Sequence, residues 1–148
     1  MREVVSATGH EHVSAEHTST FEVTSDEWLT PAGDCILAVG ADRVPADFDD
    51  AFVAACRDRD ATIRATLTAT ADDGETVTQT VTGRGDPDLS FENERSHVGR
   101  TSEYVDDRTV LVGADAAAAD VDPALVDALA AGADLRLELR VDPGGPAP

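Results

Sequence analysis

The sequence predicts an α+β domain, mostly β, made of two similar halves that each carry one short helix. Three observations predict it. First, residues 36–58 (ILAVGADRVPADFDDAFVAACRD) and 109–131 (TVLVGADAAAADVDPALVDALAA) align at an offset of 73, about half the chain. Val39-Gly40-Ala41-Asp42 falls on Val112-Gly113-Ala114-Asp115, and Asp47, Asp49, Val53 and Ala55 fall on Asp120, Asp122, Val126 and Ala128. Self-similarity at a fixed period is the mark of an internal repeat. Second, apolar and polar residues alternate over most of the chain, the period-two pattern of half-buried strands. Third, only one stretch per half changes to helical spacing behind a capping aspartate. One domain over 1–141 follows, with repeats of about 1–74 and 75–141.

In chain order, strands are expected over 2–8 and 12–24. Residues 35–41 are apolar enough for a central strand, and a turn, Thr30-Pro31-Ala32-Gly33-Asp34, leads into it. The first helix follows Asp49, with Phe48 placed to staple onto Val53 and an inward stripe of Phe52, Ala55 and Cys56. Strands 61–71 and 75–83 are joined at Asp73-Gly74, a hairpin turn. Further strands are expected over 88–92, 97–105 and 109–114. The second helix has Asp122 as cap and Pro123 at the first helical position, where a missing N–H costs nothing. Val121 is placed to staple onto Val126, and Leu125, Ala128 and Leu129 form the inward stripe. A last strand carries Leu135, Leu137 and Leu139, and residues 142–148 (DPGGPAP) are expected to fray.

The charge excludes more than it identifies. Thirty acids stand against 11 basic residues, a net charge of −19, and every basic residue is arginine. Without lysine there is no Schiff-base or pyridoxal-phosphate chemistry, no lysine general base, and no phosphate-binding P-loop. The halves carry −10 (1–74) and −9 (75–148), so the acid is a skin over the whole domain rather than a tail. Such a charge destabilises a small fold by self-repulsion, and molar salt relieves it by cutting the Debye length to about 3 Å. The composition resembles that of proteins from extreme halophiles. No apolar stretch suits a signal peptide or a bilayer span, and two cysteines, Cys35 and Cys56, make no disulfide framework. A cytoplasmic protein with free thiols is expected, with no membrane association.

His10, His12 and His17 crowd into eight positions. On a strand His10 and His12 share a face and can reach one metal, whereas His17 has the opposite parity and needs a turn to join them. Against a divalent metal stands the plainer reading of structural histidines. Asp34 is either a functional carboxylate or a turn residue. Cys35 has no neighbouring cation to make it a thiolate and reads as a small buried hydrophobe. Arg84, Arg95, Arg100 and Arg108 lie in a segment, 84–108, that holds 7 acids. They can meet a phosphate or carboxylate, but there is no basic footprint for duplex nucleic acid. Gly83-x-Gly85 is too short for a dinucleotide fingerprint, and no hydrolase elbow is present.

Taken together, several segments resemble the archaeal domain-of-unknown-function family 371. In the first half they are Gly9-His10 with His17; Leu29-Thr30-Pro31 with Gly33-Asp34-Cys35-Ile36; and Ala41-Asp42. In the second they are Gly83-Arg84-Gly85 with Pro87 and Leu89; Val98-Gly99-Arg100 with Ser102; Arg108-Thr109; and Ala114-Asp115 with Ala117. The likeness spans about 2–141 and rests on order and spacing. It implies an archaeal cytosolic protein with a jelly-roll-like β-sandwich fold, and it implies no activity. Where the family tends to have Ala-Asp-Lys in both halves, this chain has Arg43 and Ala116; His12 is outside the pattern.

The reading that follows is a non-enzymatic protein that binds a small molecule or anion between its halves. His10, His17, Asp34, Arg100, Ser102 and Arg108 would build the site, because they stand at turns and strand starts rather than on apolar stripes. The alternatives are a metal-dependent enzyme using His10 and His17 with Asp34 or His12, and a complex subunit with no ligand site, recognised by a protein partner.

Overall fold

Local chemistry sets the elements. In the computed structural model, which describes residues 1–144, the order is β1 (Arg2–Thr8), β2 (Thr20–Thr24), β3 (Ile36–Ala38), α1 (Asp50–Cys56), β4 (Thr62–Thr70), β5 (Thr76–Arg84), β6 (Ser96–Arg100), β7 (Thr109–Leu111), α2 (Pro123–Ala130) and β8 (Asp134–Asp142). A 3-10 turn precedes each helix, at Pro45–Asp47 and Ala118–Asp120. Asp49 accepts the Ala51 N–H and Asp122 accepts the Ala124 N–H, caps worth about 1 kcal/mol each. Gly74, at φ 86°, closes the β4–β5 hairpin. The fold is mostly β with two helices.

The strands form two four-stranded sheets, ordered β1-β8-β4-β5 and β3-β2-β6-β7. The first is antiparallel throughout, with Arg2 opposite Arg140 and Thr62 opposite both Asp142 and Arg84. In the second, only the central β2–β6 pair is antiparallel, while β3 and β7 run parallel to their neighbours. These parallel edges do not occur in the antiparallel Greek keys of a jelly roll.

Period two then builds the core. Ile63, Ala65, Leu67 and Ala69 of β4 and Leu135, Leu137, Leu139 and Val141 of β8 are buried, and their neighbours face outward or are half-buried. Phe52 and Cys56 of α1 and Leu125 and Leu129 of α2 join them with Phe21 and Val23 in one cluster. Ala55 and Ala128, expected on the inward stripes, are only half-buried. Each fully buried leucine contributes about 2 kcal/mol.

Contacts recur in pairs between the halves. Thr8 bridges Val39 as Arg84 bridges Val112. The Asp42 carboxylate accepts the Ser6 N–H and that of Asp115 the Thr82 N–H, each at 2.9 Å. Gly40 and Gly113 hold φ of 64° and 58°, the left-handed region where glycine carries no Cβ penalty. The Gly-Ala-Asp turns therefore clamp the ends of β1 and β5.

Several expected strands are shorter or missing. The strand over 12–24 starts at Thr20, the one over 97–105 ends at Arg100, and 88–92 is irregular. The cause is local. Ala15 and Phe91 both sit at φ 52°, incompatible with a strand. His17 Nδ1 accepts the Ser19 and Thr20 amides, and Asn93 Oδ1 accepts those of Arg95 and Ser96. Side-chain acceptors thus displace the ladder. The strands over 35–41 and 109–114 shorten to three residues each. Of the tail expected to fray, Asp142 belongs to β8, and residues 145–148 lie outside the described residues.

Candidate functional site

The β2–β6 register divides the second sheet by chemistry. Phe21 pairs with Gly99 and Val23 with His97 on the face that meets the core. Thr20 pairs with Arg100, Glu22 with Val98 and Thr24 with Ser96 on the other face. That outer face is polar but not exposed: Glu22 and Arg100 are each 9% accessible, and Thr24, Ser96 and Thr109 are fully buried. Loops between the strands cover it.

Two of those loops place Cys35 and Arg108 at corresponding points. The Glu22 N–H donates to the Cys35 carbonyl at 2.8 Å, and the Val98 N–H to the Arg108 carbonyl at 2.9 Å. Cys35, Glu22, Val98 and Arg108 therefore form a row across the sheet, drawn from both halves. On the second-half side, Asp106 takes Arg108 Nη2 at 2.8 Å and Arg100 Nη2 at 2.9 Å on one oxygen. Its other oxygen accepts the Arg108 N–H and the Thr109 hydroxyl, which in turn accepts Arg100 Nε at 2.9 Å. The Tyr104 ring lies 4.8 Å from the Arg100 guanidinium, a cation–π contact.

Electrostatics follow from this geometry. Burial raises the Asp106 carboxyl, but the Arg108 side chain and N–H, with the charges of Arg100 and Arg108, outweigh it and hold it at about 2. The hydrogen bond that the Arg108 guanidinium donates to Asp106 raises its pKa, with the charges of Asp106 and Glu22 adding to the effect. Cys35 Sγ donates to Glu22 Oε1 at 3.8 Å, and burial with the adjacent Glu22 charge pushes the thiol up to about 11. Cys35 is thus a protonated donor, not a thiolate nucleophile. Beyond it, the Thr20 hydroxyl is 3.0 Å from His17 Nδ1. Because that nitrogen already accepts two amides, the ring proton is assigned to Nε2, which leaves a donor on the far edge.

The structure brings three of the expected residues, His17, Arg100 and Arg108, onto this face. Asp34 borders it: its carbonyl accepts the Glu16 and His17 N–H groups. Ser102 is exposed and caps the Tyr104 N–H. His10 and His12 stand apart in a turn rather than on a strand, the His12 N–H on His10 Nδ1 and the rings 5.2 Å apart. Among the described residues, no three His, Cys, Asp or Glu side chains are grouped to hold a metal ion. Sequence reasoning missed Thr20, Glu22 and Asp106 and took Cys35 for a plain hydrophobe. Aligning Ala15 with Phe91, an offset of 76, would have paired Glu22 with Val98 and exposed the row.

Outside this face, Arg43 bonds the Val4 and Asp47 carbonyls, pairs with Glu3 at 3.0 Å and covers the Phe48 ring. In the second half Gln79 takes the matching place, accepting the Asp122 N–H as Glu3 accepts that of Asp49, and Ala116 replaces the arginine. The cation and its carboxylate are absent together. His97 is buried against Phe48, its Nε2 2.8 Å from the Arg43 carbonyl and its Nδ1 without a partner among the described residues.

Comparison with known proteins gives two matches. Residues 5–142 match the family described as Domain of unknown function (DUF371). An uncharacterized protein of the archaeon Methanocaldococcus jannaschii is 31% identical over 141 residues, covering 95% of this chain and all of the relative. No helix of the structure is long and apolar enough to cross a membrane.

Proposed function

The chain belongs to the DUF371 family, and from its geometry we propose a non-enzymatic protein that binds a small anionic molecule where its halves meet. The carrying observation is the pair of guanidiniums on Asp106. Two cations share one carboxylate, and Arg108 is about one-third exposed while Arg100 is enclosed. Arg108 is then the group that meets a ligand, and Arg100 positions Asp106 beneath it. A planar guanidinium fixed at one edge presents its remaining donors for a carboxylate or phosphate. His17 Nε2–H supplies a further donor on the same face, while the Cys35 thiol is committed to Glu22. A thiol held in its protonated form favours binding over covalent catalysis.

The test is calorimetric titration of the whole chain with inorganic phosphate, sulfate and succinate. Saturable binding of one of these is expected, lost in Arg108→Gln with an unchanged circular dichroism spectrum. Equal affinity in the variant, or no binding by any of the three, would overturn the proposal.

Two broader readings belong to it. We propose that the halves arose by duplication, supported by the paired contacts of the Gly-Ala-Asp turns and of His17 and Asn93. The site is where they diverge: Thr24, Gly33, Cys35 and Ile36 stand in the first half where Arg100, Asp106, Arg108 and Thr109 stand in the second. We also propose adaptation to high salt in the cytoplasm, supported by the −19 charge and the absence of lysine. A melting temperature that rises steeply with potassium chloride is expected, and one independent of salt would refute it.

A further inference from the structure

A cleft of about 430 Å³ opens beside the first Gly-Ala-Asp turn, lined by neither Arg100 nor Arg108. Ser6 and Thr8 of β1, Gly40 and Asp42 of the turn, Thr70 at the end of β4 and Asp134 at the start of β8 line it. Both halves contribute to it.

The matching place in the second half shows what such a space accepts. There Arg84 occupies the position of Thr8, each bridging the strand before its Gly-Ala-Asp turn. A Cβ placed on Gly113 would lie 3.6 Å from Cγ and Nε of Arg84; one placed on Gly40 would meet nothing within 4 Å. Arg84 runs over its turn and ends on the Gly85 carbonyl at 2.9 Å and the Glu103 carboxylate at 2.7 Å. One turn is therefore covered by the chain's own arginine, and the other is open.

The open side carries the chemistry for the same kind of group. Asp42 spends one carboxylate oxygen on the Ser6 N–H, and Asp134 is exposed. Among the described residues neither forms a salt bridge, and the one cation that lines the cleft, Arg136, is itself neutralised by Glu138 at 3.2 Å. Thr8 and Thr70 add hydroxyl acceptors. We infer that this cleft binds a guanidinium or primary ammonium group, carried by a small molecule or by a partner's side chain. It is independent of the anion site.

Two-dimensional amide spectra of the full chain in molar potassium chloride test this, since a Debye length of about 3 Å removes diffuse attraction to an acidic surface. Agmatine and a short arginine-containing peptide serve as probes. Saturable shifts at the Thr8, Gly40 and Asp42 amides are expected. A response to agmatine assigns a small-molecule source, and a response to the peptide alone assigns a partner's side chain. Thr8→Arg, which supplies the missing guanidinium in cis, should abolish the response. Asp134→Asn, at an exposed position that tolerates change, should weaken binding about 5-fold, while Asp73→Asn should leave it unchanged. No saturable shift with either probe, binding undiminished in Thr8→Arg, or equal losses in Asp134→Asn and Asp73→Asn would each overturn the inference.

Discussion

Replacing Asp106 by asparagine keeps the side chain's shape while removing the charge that Arg100 and Arg108 share. A carboxyl held at about 2 against an ordinary 3.8 represents about 2.4 kcal/mol at 1.36 kcal/mol per pH unit. Its side chain is 22% exposed, and solvent screening brings the expected figure to about 2 kcal/mol. Because the folded value is depressed, this stability is fully present above pH 3.8 and is lost as the pH falls toward 2. Urea unfolding of both proteins at constant salt, repeated from pH 7 down to pH 2, reads the difference directly. The gap should be about 2 kcal/mol at neutral pH and close toward zero at the acid end. A gap that persists unchanged at low pH would show that shape, not charge, matters there, and would refute the reasoning.

Three further outcomes follow from named contacts. Arg43→Ala or Glu3→Gln alone should each cost about 3 kcal/mol, because one member of a largely enclosed ion pair is stranded; the double variant, which copies Ala116 and Gln79, should cost clearly less than the sum in a double-mutant cycle. Burial lowers the His97 pKa below its ordinary 6.5, despite the hydrogen bond to the Arg43 carbonyl. Stability should therefore be full above pH 6.5 and decline as the pH falls below it, and thermal melts of His97→Phe, which matches Phe21, should lack that decline. With thiols pushed up to about 11 for Cys35 and about 12 for Cys56, alkylation at pH 8 should be slow at both and slower at Cys56; Glu22→Gln should accelerate Cys35, and an unchanged rate would refute the Glu22 contribution.

What the sequence makes legible is what depends on neighbours in the chain. Asp49, Asp122 and Pro123 mark helix starts by local hydrogen bonding, and the alternation of β4 and β8 fixes which side chains face inward. The loops before β2 and β6 were illegible because nothing in the sequence marks His17 and Asn93 as acceptors that take backbone amides away from the ladder. The site was half legible. Arg100, Arg108 and His17 stood out as polar residues outside the apolar stripes. Glu22 did not, because its position in β2 is one where alternation calls for a polar residue; its enclosure comes from loops distant in sequence. Asp106 gains its role only when Arg100 and Arg108 close on it, a consequence of the β6–β7 pairing.

The first sheet has a consequence for synthesis. With the boundary between halves at residues 74 and 75, every neighbouring pair in it joins a strand of one half to a strand of the other: β1 to β8, β8 to β4, β4 to β5. β1 meets its partner only across the whole chain, Arg2 against Arg140. A nascent chain emerging from the ribosome can close the β4–β5 hairpin early, but β1 waits, unpaired, until the last strand has been made. Long-range pairing of this kind is slow to form and leaves strand edges exposed meanwhile. Those waiting strands carry Arg2, Glu3 and Ser6 among their apolar residues, gatekeepers of the sort that keep an exposed edge from recruiting a neighbouring chain.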